Sequence, residues 1–254
     1  MTDNRILAGR NALVTGGGVG IGAETARALA REGARIALTY RTHAPEEKFL
    51  HDLAKLSGND VLATKLDATV EQEVVSAVDG VAEEFGSVDI LVNNIGGLVE
   101  RRRLEDMTVD LWNRVQNINV LSTMLFTREA HKHMGPGGRI INVASLAGEN
   151  GGHPGALAYG TSRGAIITFT RALARELAPE DITVNAVAPG FIEGTPFHDT
   201  FTTAASKAQT ITTIPLGRAG EPNEVGEVIA RLATPRSSFV SGTVVDINGA
   251  QYFA

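Results

Sequence analysis

The strongest constraint on this chain is a rhythm. Short runs rich in β-branched residues, "ALVT", "RIALTY", "VLATKL", "DILVNN", "RIINVAS", "ITVNAVA" and "GTVVDI", alternate with longer stretches of helical period along the whole sequence. Strands separated by helical crossovers lie parallel, and a parallel sheet must be covered on both faces. The alternation therefore predicts an α/β fold, a doubly wound, seven-stranded parallel sheet with helices on both sides. In "IGAETARALAREG" the residues Ile21, Ala26, Leu29 and Ala30 form one apolar stripe, and Gly33 supplies the left-handed stop. Further helices are expected at "VEQEVVSAVDGVAEEFG", at the long "TVDLWNRVQNINVLSTMLFTREAHKHM", and at "AYGTSRGAIITFTRALARELA".

No linker, repeat or low-complexity tract interrupts the pattern. With 254 residues, 43% of them hydrophobic, one large core suffices, so a single domain over 1–254 is expected. Residues 191 to about 216 depart from the rhythm, being rich in Thr and Ala and nearly uncharged. That composition suits a substrate lid over an apolar pocket.

Charge and residue usage exclude several function classes. Twenty-three basic against twenty-nine acidic side chains leave a net charge of −6, which gives no general attraction to nucleic acid or anionic membrane. The one basic run, Arg101 to Arg103, reads as solvated charge at a helix start. Cysteine is absent, so disulfides, thiol catalysis and thiolate metal sites are excluded, and no metal site is expected. No apolar run approaches the roughly 18 residues that span a bilayer, and "MTDNRILAGR" lacks a signal core, so a cytoplasmic protein is expected.

The first strand runs into "TGGGVGIG", which opens the first helix. Glycine is needed where the backbone turns tightly or a phosphate must approach it, and the helix N-terminus offers unpaired N–H donors to a pyrophosphate. Gly16, Gly20 and Gly22 in this strand-to-helix context predict dinucleotide binding on a Rossmann-type sheet.

The glycine spacing resembles that of the short-chain dehydrogenases/reductases, and the resemblance runs nearly the whole length. "LDAT" places Asp67 at the family's adenine contact. "NNIGG", containing Asn93 and Gly96, stands for the family's Asn-Asn-Ala-Gly with Ile95 as a departure. "NINV", "INVAS" and "YGTSR" place Asn119, Ser145 and Tyr159 at its catalytic asparagine, serine and tyrosine. "APG" and "FIEGT" correspond to the turn of Pro189 and Gly190 and to the Ile192 and Thr195 that hold the nicotinamide amide, with Gly194 displacing the threonine by one position. Ile21, Tyr40 and Arg41 complete the cofactor contacts that the resemblance implies. The C-terminal "SGTVVDINGA" matches a strand that usually packs on another subunit, so a homotetramer is expected.

The second strand ends in Tyr40, Arg41 and Thr42 rather than in an acid that would bind the ribose hydroxyls of NAD. Arg41 can fork onto a 2′-phosphate, which favours NADP over NAD. Four residues after Tyr159, where the family carries lysine, this chain has Arg163. Both positions lie on one helix face. The positive charge beside the phenol is kept, while the planar guanidinium changes the geometry of the ribose contact.

The resemblance implies a ketone and secondary-alcohol oxidoreductase acting on a small or medium, largely uncharged substrate. Tyr159 is then acid and base, Ser145 partners the substrate oxygen, and Asn119 holds a relay water. Much of the chain is also similar to 3-oxoacyl-carrier-protein reductases, for which Arg101 to Arg103 could serve a carrier protein. A nucleotide-binding regulator without turnover is the third reading, disfavoured by the retention of Ser145 and Tyr159.

Overall fold

The computed structural model describes residues 5–42, 44–195 and 203–253. Among them, seven strands form one sheet in the order β3-β2-β1-β4-β5-β6-β7, all parallel. They are β1 (Asn11–Val14), β2 (Arg35–Tyr40), β3 (Leu62–Lys65), β4 (Ile90–Asn93), β5 (Arg139–Val143), β6 (Thr183–Pro189) and β7 (Val244–Ile247). Five fall within runs expected from the sequence, while β1 begins one residue before its run and β6 ends one residue beyond its run. The order reverses at β1, whose neighbours β2 and β4 leave a crevice at their carboxyl ends, the place where α/β sheets bind ligands.

Alternate residues of the central strands feed two cores. Ala12, Val14, Ile90 and Val92 face α1 (Gly20–Arg31), α2 (Glu47–Ser57) and the helix Pro222–Ala233. Leu13, Leu91 and Ile140 face α3 (Glu71–Phe85), α5 (Ser122–His131) and α7 (Leu157–Leu177). Helix α1 ends as expected, with Gly33 at φ +95° just beyond its C-cap.

The long helix expected around Asn119 is broken into three parts: α4 (Val109–Gln116), a π-helical turn over Asn117–Leu121, and α5. The break inserts Asn119 into the protein, where it is fully buried. Across the sheet a polar ladder fixes the strands. Asn93 Nδ2 donates to Thr127 and Asn142 at 2.9 Å each, and Asn142 Nδ2 donates to Thr170 at 2.9 Å. Because these groups are buried, any other register would leave them unpaired.

Pro196 to Thr202 of the expected lid lie outside the described residues. The remainder includes a helix over Ala204–Ile211, whose Ser206 and Thr210 face the cleft described below. No helix among the described residues is long and apolar enough to cross a membrane.

Candidate active site

The glycine loop between β1 and α1 is shaped by steric need. Gly16 adopts φ +63°, and a Cβ on Gly22 would stand 2.3 Å from the Gly16 carbonyl oxygen, so the first helical turn can approach the strand only without a side chain. Asn94 clamps the loop to β4. Its Nδ2 donates to the carbonyls of Thr15 and Gly16 at 3.0 and 3.1 Å, and its N–H donates to Thr15 Oγ1. The N-cap, Val19, has no side-chain acceptor, and the first turn of α1 carries no acid. Its amides and partial positive charge are left to an anionic ligand.

This loop opens into a cleft of about 610 Å³. Gly16, Gly20 and Ile21 line one end. Ser145, Tyr159 and Arg163 line the middle beside Gly96, and Pro189, Gly190, Ile192 and Thr195 form the wall from β6. Ser145 follows β5, and its Oγ accepts the Ala147 amide at 3.1 Å, which leaves the hydroxyl proton for another acceptor. Tyr159 and Arg163 stand one turn apart on α7, with the guanidinium carbon 5.2 Å from the phenol ring centre.

Arg163 is only 5% exposed. Its Nη1 donates to the Val143 carbonyl at 2.8 Å, while its buried Nε has no partner. The neighbouring backbone is fitted to it: a Cβ on Gly96 would stand 1.8 Å from Arg163 Nη2 and 2.5 Å from Asn119 Oδ1. A buried cation with an unspent donor needs an acceptor to offset its desolvation. Arg163 lines the cleft with the glycine loop, and the cradle and this cation together fit a nicotinamide dinucleotide.

Other expected site residues lie outside the lining of this cleft. Asn93 belongs to the buried ladder, and Asn94 takes the cleft position instead. Successive residues of a strand point to opposite faces, so one of the two adjacent asparagines had to turn away. Asn119 spends its amide on the backbone, donating to Gly97 and Val115 carbonyls and accepting the Gly97 N–H at 3.0 Å. It thereby staples the loop after β4 to the π turn. Tyr40 and Arg41 end β2 at the neighbouring edge. Arg41 pairs with Asp67 at 3.0 Å and remains largely exposed. The Asp67 carboxyl is held below the usual range, first by the Thr69 hydroxyl and amide and then by Arg41.

Sequence reasoning did not single out Leu98, Asn150, His153 or Gln251, all in the cleft wall. Nor did it place Arg101 there. All three arginines of the run expected to be solvated are exposed; Arg102 also pairs with Glu100, and Arg101 also lines the cleft.

The profile of the family described as enoyl-(acyl carrier protein) reductase matches residues 17–249. A short-chain dehydrogenase from Burkholderia cenocepacia, solved in complex with NADP, superposes with a TM-score of 0.90 at 34% identity, over 97% of this chain and 99% of that one. The chain belongs to the short-chain dehydrogenase/reductase family. As a member it is an NAD(P)-dependent oxidoreductase with a Rossmann-like fold. Similar relatives include a probable tetrahydroxynaphthalene reductase of Zymoseptoria tritici, 34% identical over 98% of this chain and 96% of the relative. A versicolorin reductase of Emericella nidulans is also 34% identical, covering 99% and 98% of the two chains.

Proposed function

We propose that this short-chain dehydrogenase/reductase interconverts a ketone and a secondary alcohol on a small or medium substrate, with NADP as preferred cofactor. The observation that carries the reading is the meeting of Ser145, Tyr159 and Arg163 in one cleft with the glycine loop. The glycine loop and α1 would hold the pyrophosphate, Arg163 and Tyr159 the nicotinamide ribose, and Ile192 and Thr195 the carboxamide. When bound, the reduced nicotinamide supplies the hydride for the carbonyl carbon.

The chain supplies the rest. Ser145, whose oxygen already accepts the Ala147 amide, donates its proton to the substrate oxygen and orients the carbonyl. Tyr159 gives its phenolic proton to that oxygen as negative charge develops there. In the reverse direction the phenolate accepts the alcohol proton. Arg163 takes the place of the family's lysine, keeping a positive charge beside the phenol and lining the cleft where the ribose would lie. Asn119 acts by holding the loop of Gly97 and, through its place in the π turn, the relay path behind Tyr159. The 2′-phosphate is read by Arg41, which Asp67 holds at the end of β2. Relatives named as a tetrahydroxynaphthalene reductase and a versicolorin reductase support the reaction class, and the complex of a relative with NADP supports the cofactor.

The test is a screen of ketones and secondary alcohols with both cofactors, followed by the absorbance of the reduced nicotinamide. Turnover is expected with NADPH at a higher kcat/KM than with NADH. Arg41→Asp, which puts a like charge against the phosphate, should weaken NADPH binding at least tenfold more than NADH binding. Equal losses would remove the NADP assignment, and absence of turnover with every substrate would remove the reaction.

A further inference from the structure

The helix Ala204–Ile211 forms part of the cleft wall with little to hold it there. Ser206 and Thr210, one turn apart, line the cleft, and Thr210 is the only buried side chain of the helix. An element with so little buried surface keeps its place by a few contacts. Ile211 supplies one, packing on Phe191, Ile214 and Ala219. A second comes from the far end of the chain, where Gln251 Nε2 donates to Thr213 Oγ1 at 2.8 Å, just beyond the helix. Gln251 itself lines the cleft.

The direction of that bond is set by its surroundings. The Thr213 hydroxyl donates its one proton to the Thr210 carbonyl at 2.7 Å, so its oxygen is left to accept, and the Gln251 amide nitrogen is the group that serves it. Thr210 in turn donates its hydroxyl to the Ser206 carbonyl at 2.9 Å. One chain of hydrogen bonds therefore runs from Gln251 to both helix residues that face the cleft. The anchor itself is firm. Past β7, buried Asn248 accepts the Gln251 N–H at 3.1 Å and donates Nδ2 to the Tyr252 carbonyl at 2.9 Å, while the Gly249 carbonyl accepts the Leu216 N–H at 3.3 Å. Between them Ala250, which has a Cβ, is held at φ 67°. Strain of this kind persists where the surroundings over-determine a conformation.

We infer that Gln251 is a positioning residue for substrate selection: through Thr213 it holds the Ser206 and Thr210 face against the cleft and so limits the width of ketone that reaches Ser145 and Tyr159. The inference deepens the oxidoreductase reading above and rests on it for the reaction. Thr213 is exposed and is not among the described lining residues, so an effect of altering it reaches the substrate through the helix.

Gln251→Leu keeps the bulk of the side chain and removes the donor, whereas Thr213→Val removes the acceptor. Two quantities are measured. One is the rate of tryptic cleavage after Lys207, the one basic residue between Phe191 and Leu216, and the other is the kcat/KM ratio of acetophenone to 1-acetonaphthone with NADPH. Both variants are expected to speed the cleavage and, through KM, to lower the ratio, each about fivefold, the size of effect that one lost hydrogen bond allows. Thr213→Ser keeps the hydroxyl and should retain both wild-type values. The double variant should match either single one. Faster cleavage in both variants, without turnover of either ketone by the wild type, supports the hold on the helix and counts against the ketone reading. Unchanged cleavage overturns the hold whatever the rates, and faster cleavage with an unchanged ratio overturns the role in selection. Effects of Gln251→Leu that Thr213→Val does not reproduce also overturn it, because Gln251 would then act by its own contact with the cleft.

Discussion

Replacing Arg163 by methionine removes a charge whose carbon lies 5.2 Å from the Tyr159 ring centre. In ketone reduction that charge stabilises the negative charge left on the phenol oxygen as its proton is given up. Arg163→Met is therefore expected to slow ketone reduction about a hundredfold. Arg163→Lys keeps the charge. It should retain activity equal to or above wild type, because the ammonium has three rotatable donors for the ribose. The measurement is kcat for ketone reduction at saturating cofactor, and a wild-type rate in Arg163→Met would show that the phenol is activated by another group. Residue 163 is also tied to its surroundings by size. An added Cβ on Gly96 would stand 1.8 Å from Arg163 Nη2, so a side chain there would require the guanidinium to shift.

At the scale of elements, the short helix α6 (Ala147–Asn150) joins Ser145 to the start of the substrate wall and packs on α7. Its Glu149 is half-buried beside Asp246 of β7, and its Oε2 has no donor. Burial first, then the Asp246 carboxylate, push its pKa up to about 7. A protonated Glu149 can donate to Asp246, whereas an ionised one meets a like charge. The native state therefore binds this proton more tightly than the unfolded chain does. Its stabilisation is fully present below about pH 4.5 and is lost as pH rises toward 7. The group is partly exposed, and solvent screening reduces the loss to about 1 kcal/mol. Glu149→Gln, which keeps a neutral donor, should flatten the fall in melting temperature between pH 5 and 8; an unchanged slope would show that the pair does not couple to folding. The seven strands were legible in the sequence because their β-branched runs are bounded by turns and helices. So was the meeting of Ser145, Tyr159 and Arg163, which follows from the family motifs. The π turn was not, since "NINVL" has ordinary helical period and its extra residue is accommodated by Asn119 bonding to Gly97 in a distant loop. Arg101 is exposed, as expected of solvated charge, but its place at the cleft was not legible, because it depends on Arg102 meeting Gly155 and no local pattern encodes that contact.

Over the whole molecule, large apolar side chains remain on the surface. Leu104, Val109, Phe239 and Phe253 are each more than 70% exposed. Strand β7 closes one edge of the sheet with a single neighbour, β6. Apolar area of this kind marks association surfaces, and an open strand edge invites pairing. A homotetramer is expected, checked by sedimentation velocity at micromolar concentration, where a monomer would contradict it. The strand order also has a consequence during synthesis. Strand β1 ends its life on the ribosome with β2 on one side only, because β4 begins at Ile90. At about 5–20 residues per second, the other edge of Ala12, Leu13 and Val14 waits on the order of 5–15 s for its partner. All three are buried in the finished protein. Slowing translation ahead of Ile90 lengthens the interval in which that edge can pair with a neighbouring nascent chain, so the yield of folded enzyme depends on elongation rate as well as on final stability.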